Sequence, residues 1–215
     1  MKKIVMMISS MLMLSMAVQA GMLADYGFDS ATRAADESNA GITAGNFLSR
    51  GVVAATDGKA DPFGLPAWKK FSSSALNTIT LTPNAGAVSY ANLSFAVQMD
   101  TAAGTRERKL EVTSSATGAT VLFTLWNFHG YAVEGSGSTA INRIGAGWET
   151  RSIDLSGVTA LQGLSSAVTF SFTFSDVSTG TPAKANMRMD DILMEGSVIP
   201  EPATLGLISM AGAVY

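Results

Sequence analysis

Bulky apolar residues alternate with small polar ones along two stretches of the chain. Leu93, Phe95, Val97 and Met99 are interleaved with Ser94, Ala96 and Gln98, and Val168, Phe170, Phe172 and Phe174 with Thr169, Ser171 and Thr173. A period of two is that of a strand buried on one face, so each stretch needs a second layer over its apolar side. Shorter runs of the same kind predict strands over 22–28, 76–81, 108–113, 120–126, 148–155 and 187–195. Asp57-Gly58, Pro83-Asn84-Ala85-Gly86, Thr117-Gly118 and Gly135-Ser136-Gly137 supply turns between strands. No window keeps helical spacing beyond about three turns; the best, Val158 to Leu164, is interrupted by Gly163. Strand following strand without intervening helices predicts an all-β, two-layer antiparallel sandwich.

The two ends have a different texture. Lys2 and Lys3 precede an apolar stretch from Ile4 to Val18, and Val18-Gln19-Ala20 places small residues at a peptidase site. This is the layout of a secretory signal peptide, a short apolar helix removed after Ala20. Fifteen residues are too few for a bilayer span, which needs about 20. At the other end, Pro200 and Pro202 bracket Glu201 and hold the chain extended, and every residue from Ala203 to Tyr215 is apolar or small. Three regions follow: a signal peptide at 1–20, a sandwich domain at 21–197 and a C-terminal sorting segment at 198–215.

Pro200-Glu201-Pro202 followed by Ala203-Thr204-Leu205-Gly206-Leu207, in a chain that begins with a signal peptide, resembles the PEP-CTERM sorting signal of exported bacterial proteins. The resemblance implies handling by the export machinery, transient membrane anchoring through the tail, and processing by an exosortase-type enzyme. Its destination would be the cell surface, outer membrane or extracellular matrix of a Gram-negative-type bacterium. In that family the tripeptide is followed by a membrane helix and a basic cluster. Here Ala203 to Tyr215 covers about two-thirds of a span and no Lys or Arg follows. Either the chain continues past Tyr215 or this copy has lost its anchor; the abrupt apolar end favours continuation.

Within the middle region, Ser152-Ile153-Asp154-Leu155-Ser156-Gly157-Val158 followed by Val168-Thr169-Phe170 resembles the penultimate region of the jelly-roll sandwiches that accompany this signal. Arg188-Met189-Asp190-Asp191-Ile192-Leu193-Met194 resembles their closing strand and that of carbohydrate-binding modules, and Asp25-Tyr26-Gly27-Phe28-Asp29 their first. The resemblance implies a jelly roll with a structural calcium where first and last strands meet, with Asp29, Asp190 and Asp191 as the candidate carboxylates. Calcium needs about 6–8 oxygens. Neighbouring Asp190 and Asp191 reach one site only if the strand bulges between them.

Composition narrows the chemistry. Charged residues make up 14% of the 215, against about 25% in an average soluble domain, and there is no cysteine. A cysteine nucleophile and a cysteine-ligated zinc are thereby excluded. The net charge is −3, and losing the two lysines with residues 1–20 makes it −5. That balance argues against nucleic acid as a partner. The single histidine, His129, stands among aromatics and has no second histidine or Gly-x-Ser-x-Gly elbow to work with. Glu107, Glu111, Glu134, Glu149 and Asp154 could supply a glycosidase pair, but the Glu-x-Asp-x-x-Glu of jelly-roll glucanases is absent.

Sugar rings stack on exposed aromatic faces. Trp68, between Pro66 and Lys69-Lys70, Tyr131, before the Gly/Ser-rich stretch 135–147, and Trp148 are the candidates, whereas Trp126 continues an apolar run and reads as core. Asn92-Leu93-Ser94 matches a glycosylation acceptor but falls mid-strand. The reading that results is an exported, non-catalytic surface or matrix protein with a structural or adhesive role among exopolysaccharides. The alternative is a carbohydrate-binding module with a defined glycan cleft, and a polysaccharide hydrolase ranks below both.

Overall fold

A computed structural model of the chain describes residues 20–28, 33–48, 77–99, 108–128, 131–134, 148–176 and 187–200. Eleven strands are described: β1 (Gly21–Tyr26), β2 (Glu37–Ser38), β3 (Ile42–Ala44), β4 (Asn77–Pro83), β5 (Ala87–Met99), β6 (Arg108–Ser114), β7 (Val121–Phe128), β8 (Tyr131–Glu134), β9 (Glu149–Asp154), β10 (Val168–Asp176) and β11 (Met187–Ile199). They form two antiparallel sheets, sheet A in the order β2-β1-β11-β5-β9 and sheet B in the order β3-β4-β10-β6-β7-β8. The architecture is the expected all-β jelly-roll sandwich. The eight strands expected from periodicity are present. In place of a helix at 158–164 there is a single 3-10 turn, Thr159–Leu161. Gln162 holds that turn by donating its amide to the carbonyls of Tyr90 and Leu155 at 2.9 and 3.1 Å.

The core is filled by the residues that alternation places inside. An aromatic chain crosses it, from Tyr26 to Phe28, Phe47, Phe172, Phe95 and Phe123, with successive ring centroids 5.4–6.4 Å apart. Tyr90 meets Phe170 edge-on at 5.2 Å. These contacts bind β1, β5, β7 and β10 into one interior. Truncating a buried ring of this kind costs about 3–5 kcal/mol. Tyr26 donates its hydroxyl to the Gly45 carbonyl at 2.7 Å, and burial raises its pKa far above the phenol range.

In each of three sheet-A strands, one extra residue switches which side of the strand faces the core. On β11, Met189 faces inward, and so do Ile192 and Met194; three steps separate the first two, which a regular strand cannot place on one side. The register slips between Asp190 and Leu193, and Asp191 takes φ 46°. Asp accepts this left-handed conformation better than most residues, and here Asp190 Oδ1 accepts the Asp191 N–H at 3.0 Å. On β5, Ala91 is the extra residue, allowing Val88 and Tyr90 to share the core with Leu93, Phe95 and Val97. On β1 the slip between Met22 and Ala24 puts Leu23, Ala24 and Tyr26 inside together. Each slip is a bulge placed where the apolar pattern changes phase.

Both exits from the domain lie at one end. Gly21 pairs with Gly196, and β11 ends at Ile199 beside Ala87, so Ala20 and Pro200 leave adjacent strands together. The turn at 84–86, the turn 115–120 and the segment 155–167 share that end. β5, β7 and β10 end, and β4, β6, β8 and β11 begin, at the opposite end.

Gly196 is where β1, β11 and β5 crowd most closely. A Cβ there would overlap the Ser89 carbonyl oxygen and lie 2.8 Å from Leu23 Cδ1 and 3.1 Å from Tyr90 Cα. Gly157 has open space around the same position. Gly196→Ala is therefore expected to destabilise the protein by about 3 kcal/mol or to prevent folding, with Gly157→Ala within about 0.5 kcal/mol of the parent, as read from urea-unfolding midpoints.

Candidate functional site

The outward side of sheet A carries a polar surface built on three neighbouring strands. Alternation on β9 turns Thr150, Ser152 and Asp154 outward, all exposed, while Ile153 goes to the core. On β5 the outward positions are Asn92 and Ser94, and on β11 Leu193 and Glu195. The register sets Glu195, Asn92 and Asp154 side by side in one row, and Leu193, Ser94 and Ser152 in the next. Trp148, half-buried, precedes β9 two residues before Thr150 and continues that outward sequence of positions.

Asn92 is hydrogen-bonded to Glu195 in its own row and to Ser152 in the next, while Asp154 is held by Ser156. Asn92 Nδ2 donates to Glu195 Oε2 at 2.9 Å, and Ser152 Oγ donates to Asn92 Oδ1 at 2.6 Å. Asp154 Oδ1 accepts from the Ser156 hydroxyl at 2.6 Å and the Ser156 backbone N–H at 2.9 Å. Those two donors favour the charged form and hold the Asp154 carboxyl below its usual pKa. The surface thus presents fixed acceptors on either side of an amide, with small side chains between them and an aromatic at one end.

Of the carboxylates that could supply a glycosidase pair, the three with described side chains are each held by a neighbour. Glu149 is bonded to Arg151 Nη2 at 2.7 Å and Glu111 to Lys109 Nζ at 2.8 Å on the outer side of sheet B. Asp154 and Glu195 flank Asn92 two strand spacings apart, about 10 Å between backbones. Glycoside cleavage needs one carboxyl held protonated. Asp154 is shifted the other way, and Glu195 already accepts an amide hydrogen.

The residues singled out from sequence meet different fates. Ala20 and Pro200 are exposed at the termini of β1 and β11. Glu201, Pro202, Trp68, Asp29 and His129 lie outside the described residues. Tyr131 opens β8, where it pairs with Phe128, and Trp148 immediately precedes β9 at the same end of the sandwich. Trp126 lies on β7, where the register pairs it with Lys109 and Val133.

Asp190 and Asp191 occupy the bulge on which a shared calcium site depends, and Asp190 is buried. Its Oδ1 is turned to the Asp191 N–H, however. Among the described residues no group of three or more His, Cys, Asp or Glu side chains is arranged to hold a metal. The described part of the bulge does not by itself make a calcium shell. Asn92, the mid-strand glycosylation match, proves instead to be half-buried and bonded within the sheet. Glu195 and Ser152 were not among the candidates, because the cross-strand rows that bring them together are invisible in a linear pattern.

No family model matches the chain, and no curated protein does. Among solved structures it is similar to the K1 cleaved adhesin domain of Lys-gingipain from Porphyromonas gingivalis, at 14% identity and TM-score 0.40 over 81% of this chain and 98% of that one. It is also similar to the CBM22-1 xylan-binding domain from Paenibacillus barcinonensis, at 11% identity and TM-score 0.37 over 84% and 97% of the two chains. A third is the family 11 carbohydrate-binding module of a cellulosomal cellulase of Clostridium thermocellum, at 12% identity and TM-score 0.31 over 86% and 97%.

The Asp154–Ser156 contact gives a sign for pH. A carboxyl whose folded pKa is depressed adds stability above its unfolded pKa, about 3.9, and loses it as pH falls through the folded value. Ser156→Ala is expected to move the Asp154 pKa up toward the ordinary value, observable in an NMR titration of its carboxyl carbon. An unmoved or lowered pKa would contradict the assignment of Ser156 as the cause.

Proposed function

We propose that this protein is a non-catalytic carbohydrate-binding module whose binding surface is the outward side of β11, β5 and β9. The observation that carries this reading is the Glu195–Asn92–Ser152 hydrogen-bonded chain across three strands, with Trp148 four residues before Ser152. Sugars present hydroxyl groups that both donate and accept, and apolar ring faces that stack on aromatics. An amide between carboxylate and hydroxyl acceptors answers the first, and Trp148 the second. From Trp148 to Asp154 the surface runs about 20 Å at about 3.3 Å per residue, a length for several sugar rings.

The module is exported in this reading. Residues 1–20 act as signal peptide, cleaved after Ala20, and Pro200-Glu201-Pro202 marks a PEP-CTERM-type tail handled by an exosortase-type enzyme. The role is structural or adhesive, within exopolysaccharide at the cell surface or in the matrix. The geometry suits a tethered binder: both tagged ends leave the sandwich at the end away from Trp148.

The full chain is expected to retard in affinity electrophoresis through at least one polysaccharide gel, with Trp148→Ala and Asn92→Ala each weakening retardation about tenfold while the circular dichroism spectrum stays that of the folded parent. Asn92→Ala, which loses the bonds to Glu195 and Ser152, also lowers the unfolding midpoint. Protein recovered from outside the producing cell is expected to begin at Gly21. Absence of retardation in every polymer, or variants that bind as the parent does, would remove this surface as the site.

A further inference from the structure

The charges around Asn92 narrow the class of polysaccharide. We infer that the sheet-A surface selects neutral glycans and rejects polyanionic ones such as polyuronates, an inference that rests on the reading of this surface as a glycan site. Asn92 is paired in the register with Glu195 on one side and Asp154 on the other. A ligand group held by the Asn92 amide therefore sits about one strand spacing, roughly 5 Å, from each of two carboxylate-bearing positions. Asp154 stays ionised because Ser156 donates to it twice, so acidification to ordinary extracellular values leaves the charge in place.

Neither carboxylate is in an ion pair with a described basic side chain: Glu195 is bonded to Asn92 and Asp154 to Ser156, and Arg188 pairs with Gln98, six residues along β5 from Asn92 and about 20 Å away. Lys109 is on the outer side of sheet B beside Glu111, and Arg151 lies on the inward-facing side of β9 against Glu149. Carboxylates accept hydrogen bonds and cannot donate them. Sugar hydroxyls satisfy them; a uronate, sulfate or phosphate group brings only further acceptors and a like charge, which is repelled at this distance. The row thus asks for a ligand rich in donors and free of anions. The same logic gives a salt signature: binding to a neutral polymer has no ion pair to screen.

The test uses the full chain in affinity electrophoresis against neutral polymers (unsubstituted xylan, mixed-linkage β-glucan, mannan) and acidic ones (polygalacturonate, alginate), each with and without EDTA and at two salt concentrations. Retardation by a neutral polymer, insensitive to salt and EDTA, with acidic polymers at least about tenfold weaker, is the expected result. Glu195→Gln, isosteric and half-exposed, is expected to strengthen acidic-polymer binding severalfold while keeping the parent unfolding midpoint. Acidic polymers bound as tightly as neutral ones, or bound only in the absence of EDTA through a bridging cation, would overturn the inference. If either binding were still lost in Trp148→Ala, the surface itself would stand as the site. Retardation by none of the polymers would overturn both.

Discussion

β11 hydrogen-bonds to β5 along most of its thirteen residues and to β1 on its other side, so sheet A has no middle until the C-terminal strand is in place. That single insertion brings Leu23, Tyr26, Ile192 and Met194 over the aromatic interior, seats Gly196 against the Ser89 carbonyl, and sets Glu195 beside Asn92. Core, termini and candidate surface all depend on it. A chain synthesised from its N-terminus cannot complete this pairing early. β1 and β11 are about 170 residues apart, and closing so long a loop is the kind of non-local step that slows folding.

The strands with unbroken alternation, 93–99 and 168–174, could be read from the sequence because each obeys a single phase throughout. The structure departs from the reading where the phase changes. Val88 and Tyr90 belong to the same strand as Leu93 and Phe95, but Ala91 intervenes and a strict period of two stops there. Met189 and Ile192 break the period in the same way, and here a bulge was foreseen as the condition for bringing two aspartates together. β2 and β3, of two and three residues, are too short to carry a period, and pairing with β1 and β4 defines them. Phe47 lies in no strand at all and is buried because Phe28 and Phe172 enclose it.

Less of the candidate surface was legible than of the fold. Trp148 was singled out for its chemistry alone, and it lies immediately before β9. Asn92 was noticed for the wrong property. Glu195 reads as the end of an apolar strand and Ser152 as one serine among many; their meaning comes from a register that joins positions 60 and 103 residues from Asn92. Of the five carboxylates that composition offered as possible catalysts, the three whose side chains are described are each tied to a neighbour, Glu111 to Lys109, Glu149 to Arg151 and Asp154 to Ser156. What is outward on sheet A is a hydrogen-bonded set in which Asn92 and Ser152 donate and Glu195 and Asp154 accept.

Amide hydrogen exchange on the full chain tests the central role of β11 most directly. If β11 holds sheet A together, its amides paired to β5 and β1 exchange with the slowest class, together with those of β5 and no faster than those of β4 and β10 in sheet B. Exchange of β11 amides orders of magnitude ahead of β4 and β10, as for a frayed terminal segment, would contradict the account.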